Sequence, residues 1–142
     1  MISTLFMAVA CNNNNCAQFD CVNGECERGV CVCDEGYEGT RCNISWSSKM
    51  SGSYLGRDCY DSEDANYTIT SFAKDSITFN NFFKAGITEG SKISIPNQEI
   101  EQEGIIFSVS GSGRFSGDTM WLQYTSVYPE FPTFCELILV KQ

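Results

Sequence analysis

Six cysteines at Cys16, Cys21, Cys26, Cys31, Cys33 and Cys42 follow the spacing C-x4-C-x4-C-x4-C-x-C-x8-C. No other feature restricts the fold of this chain so tightly. A segment of 27 residues cannot bury enough apolar surface to offset its conformational entropy, so covalent closure or a metal has to hold it. Metal fits poorly. The chain has no histidine, and the cysteines do not form the two C-x2-C pairs of a zinc ribbon. Disulfides remain, and they place the protein outside the cytoplasm. Six cysteines allow 15 pairings, and spacing alone selects none of them.

The end of the segment, Cys31-Val-Cys33-Asp-Glu-Gly36-Tyr37-x4-Cys42, resembles the signature of EGF-like domains. That resemblance implies an EGF-like domain over residues 16–43, with bridges Cys16–Cys26, Cys21–Cys31 and Cys33–Cys42. Asn23-Gly24 reads as the hairpin turn of the module. Gly36 and Gly39 bracket Tyr37, whose ring is positioned to cover the last bridge. Calcium-binding members of the family carry acidic or amide residues before the first cysteine. Asn12–Asn15 occupy that place without an Asp or Glu, so no calcium is expected there.

Nine cysteines is an odd number, and Cys11 is the one outside both folded regions. Residues 2–10, ISTLFMAVA, are apolar and uncharged. They are far short of the roughly 20 residues needed to span a bilayer, but they fit the apolar core of a secretory signal. A small residue, Ala10, directly before Cys11 resembles the lipobox of bacterial lipoproteins. The resemblance implies cleavage after residue 10 and acylation of Cys11 with chains such as palmitate. Residues 11–15 then form a lipidated polar tether. Several acyl chains on one residue anchor stably where one does not. The implied location is the envelope of a Gram-negative bacterium, anchored in the outer membrane; a secreted protein is the alternative.

Beyond a linker at residues 44–48, the composition shifts. From 49 to 142 only Cys59 and Cys135 remain, and runs of Thr, Ile, Phe, Tyr and Val alternate with Gly, Asn, Asp and Ser. No sustained 3.6-residue period occurs. Strands are expected over residues 52–60, 67–73, 76–82, 92–95, 98–102, 105–111, 113–115, 119–128 and 133–141. Alternation is plain at Ile77 and Phe79, at Ile93 and Ile95, at Ile105, Phe107 and Val109, and at Met120, Leu122 and Tyr124. Short connections favour an antiparallel up-and-down meander, and closing it into a barrel removes the exposed edges. The fold class is therefore all-β: a disulfide-rich module followed by a small antiparallel barrel. Gly52-Ser53-Tyr54 resembles the G-x-W opening of lipocalins. The half as a whole resembles small β-rich domains found behind lipoboxes in Gram-negative bacteria. Eight Phe, five Tyr and Trp121 are enough rings to fill a small barrel, so a packed interior or a shallow mouth is expected.

Cys59 lies near the end of the first strand and Cys135 in the last. In a closed meander these strands are neighbours, so a Cys59–Cys135 bridge is sterically sensible and worth about 4 kcal/mol through loop entropy.

The net charge of −9 comes without any basic stripe. That excludes nucleic acid as a partner and electrostatic docking on anionic lipid. Without histidine there is no Ser-His-Asp or Cys-His unit, and no phosphate loop or zinc-protease motif is present. Gly111-Ser-Gly113 reads as a bend or bulge. Glu99, Glu101 and Glu103 at period two read as one solvated strand face. Asp58, Asp61, Glu63 and Asp64 lack the EF-hand pattern and read as a solvated loop. Asn43-Ile-Ser45 and Asn66-Tyr-Thr68 are N-glycosylation sequons. Asp75-Ser76-Ile77 and Asp118-Thr119-Met120 resemble a bacterial O-glycosylation sequon.

The expected protein is non-enzymatic, uses no cofactor or metal, and is held to a membrane through its lipid, with a protein or glycan partner. The alternative is a lipocalin-like carrier of a small apolar or saccharide ligand, with the aromatics of 124–134 as its contacts. A hydrolase would need two carboxylates from 58–64 or 99–103 to converge.

Overall fold

The computed structural model describes residues 15–128 and 131–142; Cys11, the residues before it and most of the tether lie outside them. The described residues open with a 3-10 turn over Asn15–Gln18. A hairpin follows, of strands β1 (Gly24–Glu27) and β2 (Val30–Cys33). Strand β3 (Tyr37–Glu38) then pairs with β4 (Ile44–Ser45). The disulfides are Cys16–Cys26, Cys21–Cys31 and Cys33–Cys42, linking first to third, second to fourth and fifth to sixth.

The hairpin turn is Arg28-Gly29, one strand later than the Asn23-Gly24 reading. Both turn residues take positive φ, 52° and 81°, as a two-residue primed turn requires. Asn23 instead donates from Nδ2 to the Cys42 carbonyl at 2.9 Å, tying the two ends of the module together.

Residues 44–50 are built rather than loose. After β4 comes a five-residue helix, α1 (Trp46–Met50), capped by the Ser45 hydroxyl, which accepts from the Ser48 N–H. The helix is too short for its apolar pair, Trp46 and Met50, to register as a period in sequence. The Ser47 hydroxyl bonds that of Ser71 at 2.7 Å, and Met50 has no exposed surface.

The remaining eight strands are β5 (Gly52–Arg57), β6 (Ala65–Ala73), β7 (Ser76–Phe79), β8 (Phe83–Thr88), β9 (Lys92–Gln102), β10 (Ile105–Ser116), β11 (Thr119–Tyr128) and β12 (Phe131–Lys141). Each pairs antiparallel with the next, and β12 returns to β5 through Ile138↔Arg57 to Lys141↔Tyr54. The barrel is closed and up-and-down. Alternation drives it: Cys135, Leu137 and Leu139 of β12 point inward and are buried, while Phe134, Glu136, Ile138 and Val140 between them are exposed.

Two details depart from the sequence reading. β8 has no counterpart among the expected strands, because Ala85-Gly86 at its centre has poor strand propensity. Even so, Phe83, Ala85 and Ile87 alternate inward along it. The breaks at Pro96-Asn97 and Ser112 do not end strands either. Val109 faces Gln98 and Gly111 faces Ile95, so Pro96-Asn97 stand opposite Ser110 alone. The extra residue is a β-bulge, a place where proline's missing N–H is tolerated. Gly111 and Gly113 point inward, where a Cβ would lie 2.3 Å from the carbonyl oxygens of Gln123 and Trp121 respectively. Their bareness lets β10 and β11 approach closely and curve.

At the end where β5 begins, α1 plugs the barrel. Tyr54 inside the barrel donates to the Met50 carbonyl at 2.7 Å, and Lys141 donates to the Lys49 carbonyl at 3.0 Å. Burial, with the negative charge of Asp118 adding to it, raises the Tyr54 pKa to about 12. The cysteine module sits against this same end. Lys49 donates to Glu38 at 2.8 Å and to the Gly90 carbonyl at 3.0 Å, while Lys74 donates to the Glu35 carbonyl at 2.8 Å. The Lys74 ammonium also lies 5.8 Å from the Tyr37 ring centre. No helix among the described residues is long and apolar enough to cross a membrane.

Candidate functional site

The opposite end of the barrel is open. Antiparallel order gathers there the end of β5, the start of β6, the β7–β8 and β9–β10 turns, and the β11–β12 ends. They surround a cavity of about 790 Å³ that opens to solvent. Its floor and walls are apolar: Phe79, Phe83, Ile100, Val109 and Leu137. Phe79 and Phe83 stack with ring centres 4.6 Å apart. The rim carries Tyr60, Phe82, Ile105, Tyr128 and Phe131, all exposed.

Asn80, Gln102 and Glu103 line the cavity from the β7–β8 and β9–β10 turns, and the hydrogen-bonded polar groups lie on the β5, β6 and β11 side. Asp58, just past β5, accepts the hydroxyl of Tyr124 on β11 and, through Oδ1, the Cys59 N–H at 2.5 Å. Asp61 accepts the Tyr67 hydroxyl at 3.0 Å, and the Tyr60 and Ser126 hydroxyls lie 2.5 Å apart. Partial burial pushes the Tyr67 and Tyr124 pKa values well up, and the carboxylates each one faces add to the rise. Both phenols thus stay protonated and serve as donors, leaving the carboxylates as the charged groups of the rim.

The Cys59–Cys135 disulfide, with Cα atoms 5.4 Å apart, fixes the Asp58 segment. The β5–β12 ladder ends at Arg57↔Ile138. Extending that register brings Cys135 beside residue 60, so the bridge carries the junction two to three residues beyond the last paired ones. Asp58, Cys59 and Cys135 cluster as closely as a set of metal ligands would. The two sulfurs are bonded to each other, however, which leaves one carboxylate, too few to hold a metal.

The acidic residues separate. Glu99 and Glu101 are exposed on β9, but Glu103 leaves their face. It occupies the tight turn to β10 with φ 53° and lines the cavity together with Asp58 and Asp61. The 58–64 segment is therefore not simply a solvated loop: Asp64 pairs outward with Arg57 at 3.1 Å, while Asp58 and Asp61 face the mouth. Within the aromatic 124–134 stretch, Tyr124, Tyr128 and Phe131 line the cavity; Phe134 does not. Sequence reasoning missed Tyr60, Tyr67, Phe83 and Ile100 as cavity residues. They are scattered along the chain, and only barrel closure brings them together. Asn43 and Asn66 of the sequons are exposed.

No protein-family model, no curated protein and no solved structure matches this chain.

Proposed function

We propose that the barrel is a cup for a small, largely apolar ligand, carried by a non-catalytic protein tethered to the bacterial envelope. One observation carries this reading: the end of the barrel facing away from the cysteine module holds an open, aromatic-walled cavity of about 790 Å³. That volume falls within the ~300–1,000 Å³ typical of small-ligand pockets, which are likewise mostly apolar with a few polar groups. The EGF-like reading of residues 16–43 and the acylation of Cys11 belong to the same proposal. The acylated cysteine precedes the module, and the module docks on the plugged end through Lys49–Glu38 and Lys74–Glu35. A membrane anchor on that side leaves the mouth pointing outward, accessible to diffusing ligand. In a secreted form without the lipid, the cup works the same way.

The test is titration with the neutral fluorophore N-phenyl-1-naphthylamine. Saturation at one probe per chain is expected. Val109→Trp, which fills the cavity, should abolish it while circular dichroism keeps the β signal. Ile138→Ala, on the exposed outer face, should leave binding unchanged. Unsaturable binding, or equal binding by the filled variant, would refute the cup. Intact mass of the native product tests the tether separately, through a chain beginning at Cys11 with added acyl mass.

A further inference from the structure

Resting on the cup reading, we infer that the cavity selects cationic amphiphiles, an apolar body bearing an ammonium head, and rejects anionic ones of the same size. Three carboxylates, Asp58, Asp61 and Glu103, stand at its mouth, and no Lys or Arg is among the described residues that line it. The cations nearest the mouth in sequence are engaged elsewhere. Arg57 pairs with Asp64, and Lys84 lies over the Phe72 ring at 4.3 Å, against an exposed ring on the barrel's outer face.

The hydrogen-bond directions reinforce the charge. Tyr124 and Tyr67 direct their hydroxyl protons to Asp58 and Asp61. The carboxylate side of the rim therefore offers a ligand charged acceptors, which suits an N–H donor head; the donors that line the cavity elsewhere, on Asn80, Gln102, Tyr128 and Thr133, are neutral and give a carboxylate or sulfonate head no countercharge. An anionic head would also leave water to sit against like charge, a desolvation penalty with no return. Tyr60 and Tyr128, both exposed at the mouth, provide ring faces over which an ammonium is attracted. The net charge of −9 adds a field that draws cations toward the protein at low salt.

The experiment is calorimetry on the full chain at pH 7.5 and low salt with decylammonium, decanol and decanoate, which share one tail and differ in head group. Decylammonium is expected to bind at least ~10-fold tighter than decanol, a difference of about 1.4 kcal/mol. Decanoate should be the weakest of the three. Asp58→Asn should reduce decylammonium affinity ~10-fold and leave decanol within about twofold. Glu103→Gln, in an exposed turn where folding is not at stake, should reduce it by a smaller factor in the same direction. Added salt should weaken only the cation, since a rim charge is screened. Decanoate binding as tightly as decylammonium, or all three alike, would overturn the charge selection while leaving the cup intact. Binding of none would bring down the cup itself, and the selection with it.

Discussion

At the plugged end of the barrel, Met50 and Tyr54 have no exposed surface, and the tyrosine hydroxyl meets a backbone carbonyl. At the open end, Tyr67 and Tyr124 are built on the same pattern of an inward tyrosine on a strand, but their hydroxyls meet carboxylates at the edge of an unfilled space. The strands are continuous from one end to the other. What differs is whether the chain supplies its own filling. The plugged end uses α1 and aliphatic side chains to exclude water. The open end leaves that space unfilled and sets its charges at the rim, where on the proposed reading a ligand would enter. On that reading the plugged end closes the core and the open end does the recognising, as expected when a rigid scaffold positions a site on its loops and strand ends.

The open end keeps its shape through a covalent link rather than through packing, and that can be broken directly. Replacing both Cys59 and Cys135 with serine and alanine removes a bridge across 76 residues. The chain-entropy relation gives a loss of about 4 kcal/mol. Urea unfolding should show a fall of that size, several times what any one hydrogen bond at the mouth contributes. The cysteine module's three bridges should persist, as disulfide mapping will show. A loss below about 1 kcal/mol would mean that the Asp58 segment is held by its hydrogen bonds alone.

The plugged end breaks through packing. Met50→Ala should cost ~2–5 kcal/mol, the range for truncating a buried methionine, and should open a second cavity at the base. Ligand titration at the mouth should change little, because Met50 does not line that cavity. If the variant lost mouth binding while remaining folded, the two ends would be coupled, and the division of labour between them would fail.

These two ends were unequally legible in the sequence. Strand alternation such as Leu137-x-Leu139 or Met120-x-Leu122 is a local signal, so the meander and its closure could be read from it. The adjacency of Cys59 and Cys135 followed from that closure. The plug was hidden because five residues make barely more than one helical turn, too few for a period to appear. β8 was hidden because Ala85 and Gly86 weaken a strand that its neighbours nevertheless hold in register. The β8–β9 ladder ends at Gly86↔Ser94. Beyond it the Gln98 side chain takes over, its amide accepting from the Lys84 N–H at 2.9 Å and donating to the Lys84 carbonyl at 2.8 Å. No residue pattern encodes such a substitution. The mouth was the least legible part, since Asp58, Asp61, Glu103 and the tyrosines meet only through tertiary closure. Read in isolation, the carboxylates looked like ordinary solvated charges.

The smallest effect separates the two ends by pH. A phenol whose pKa is raised on folding contributes stability that is fully present below its unfolded value near 10 and is lost as pH rises toward the folded value. Between those limits the unfolded chain releases the proton and the folded chain keeps it, so stability falls with pH by up to about 1.4 kcal/mol per unit for each such group. For Tyr54 the window runs from about 10 to about 12; Tyr67 and Tyr124 are raised as well, so they add to the slope across that same window. Tyr54→Phe should make the decline above pH 10 shallower by one group, while lowering stability at pH 7 by ~1 kcal/mol through the unmet Met50 carbonyl. Tyr124→Phe should flatten the slope similarly and also free an Asp58 oxygen at the mouth, so only this variant should alter decylammonium affinity. Urea unfolding at half-unit steps from pH 9 to 11.5, run beside ligand titration at pH 7.5, separates the two. Matching changes in binding for both variants would show that the phenol at the plugged end reports on the mouth, and that the two halves of the barrel are not independent.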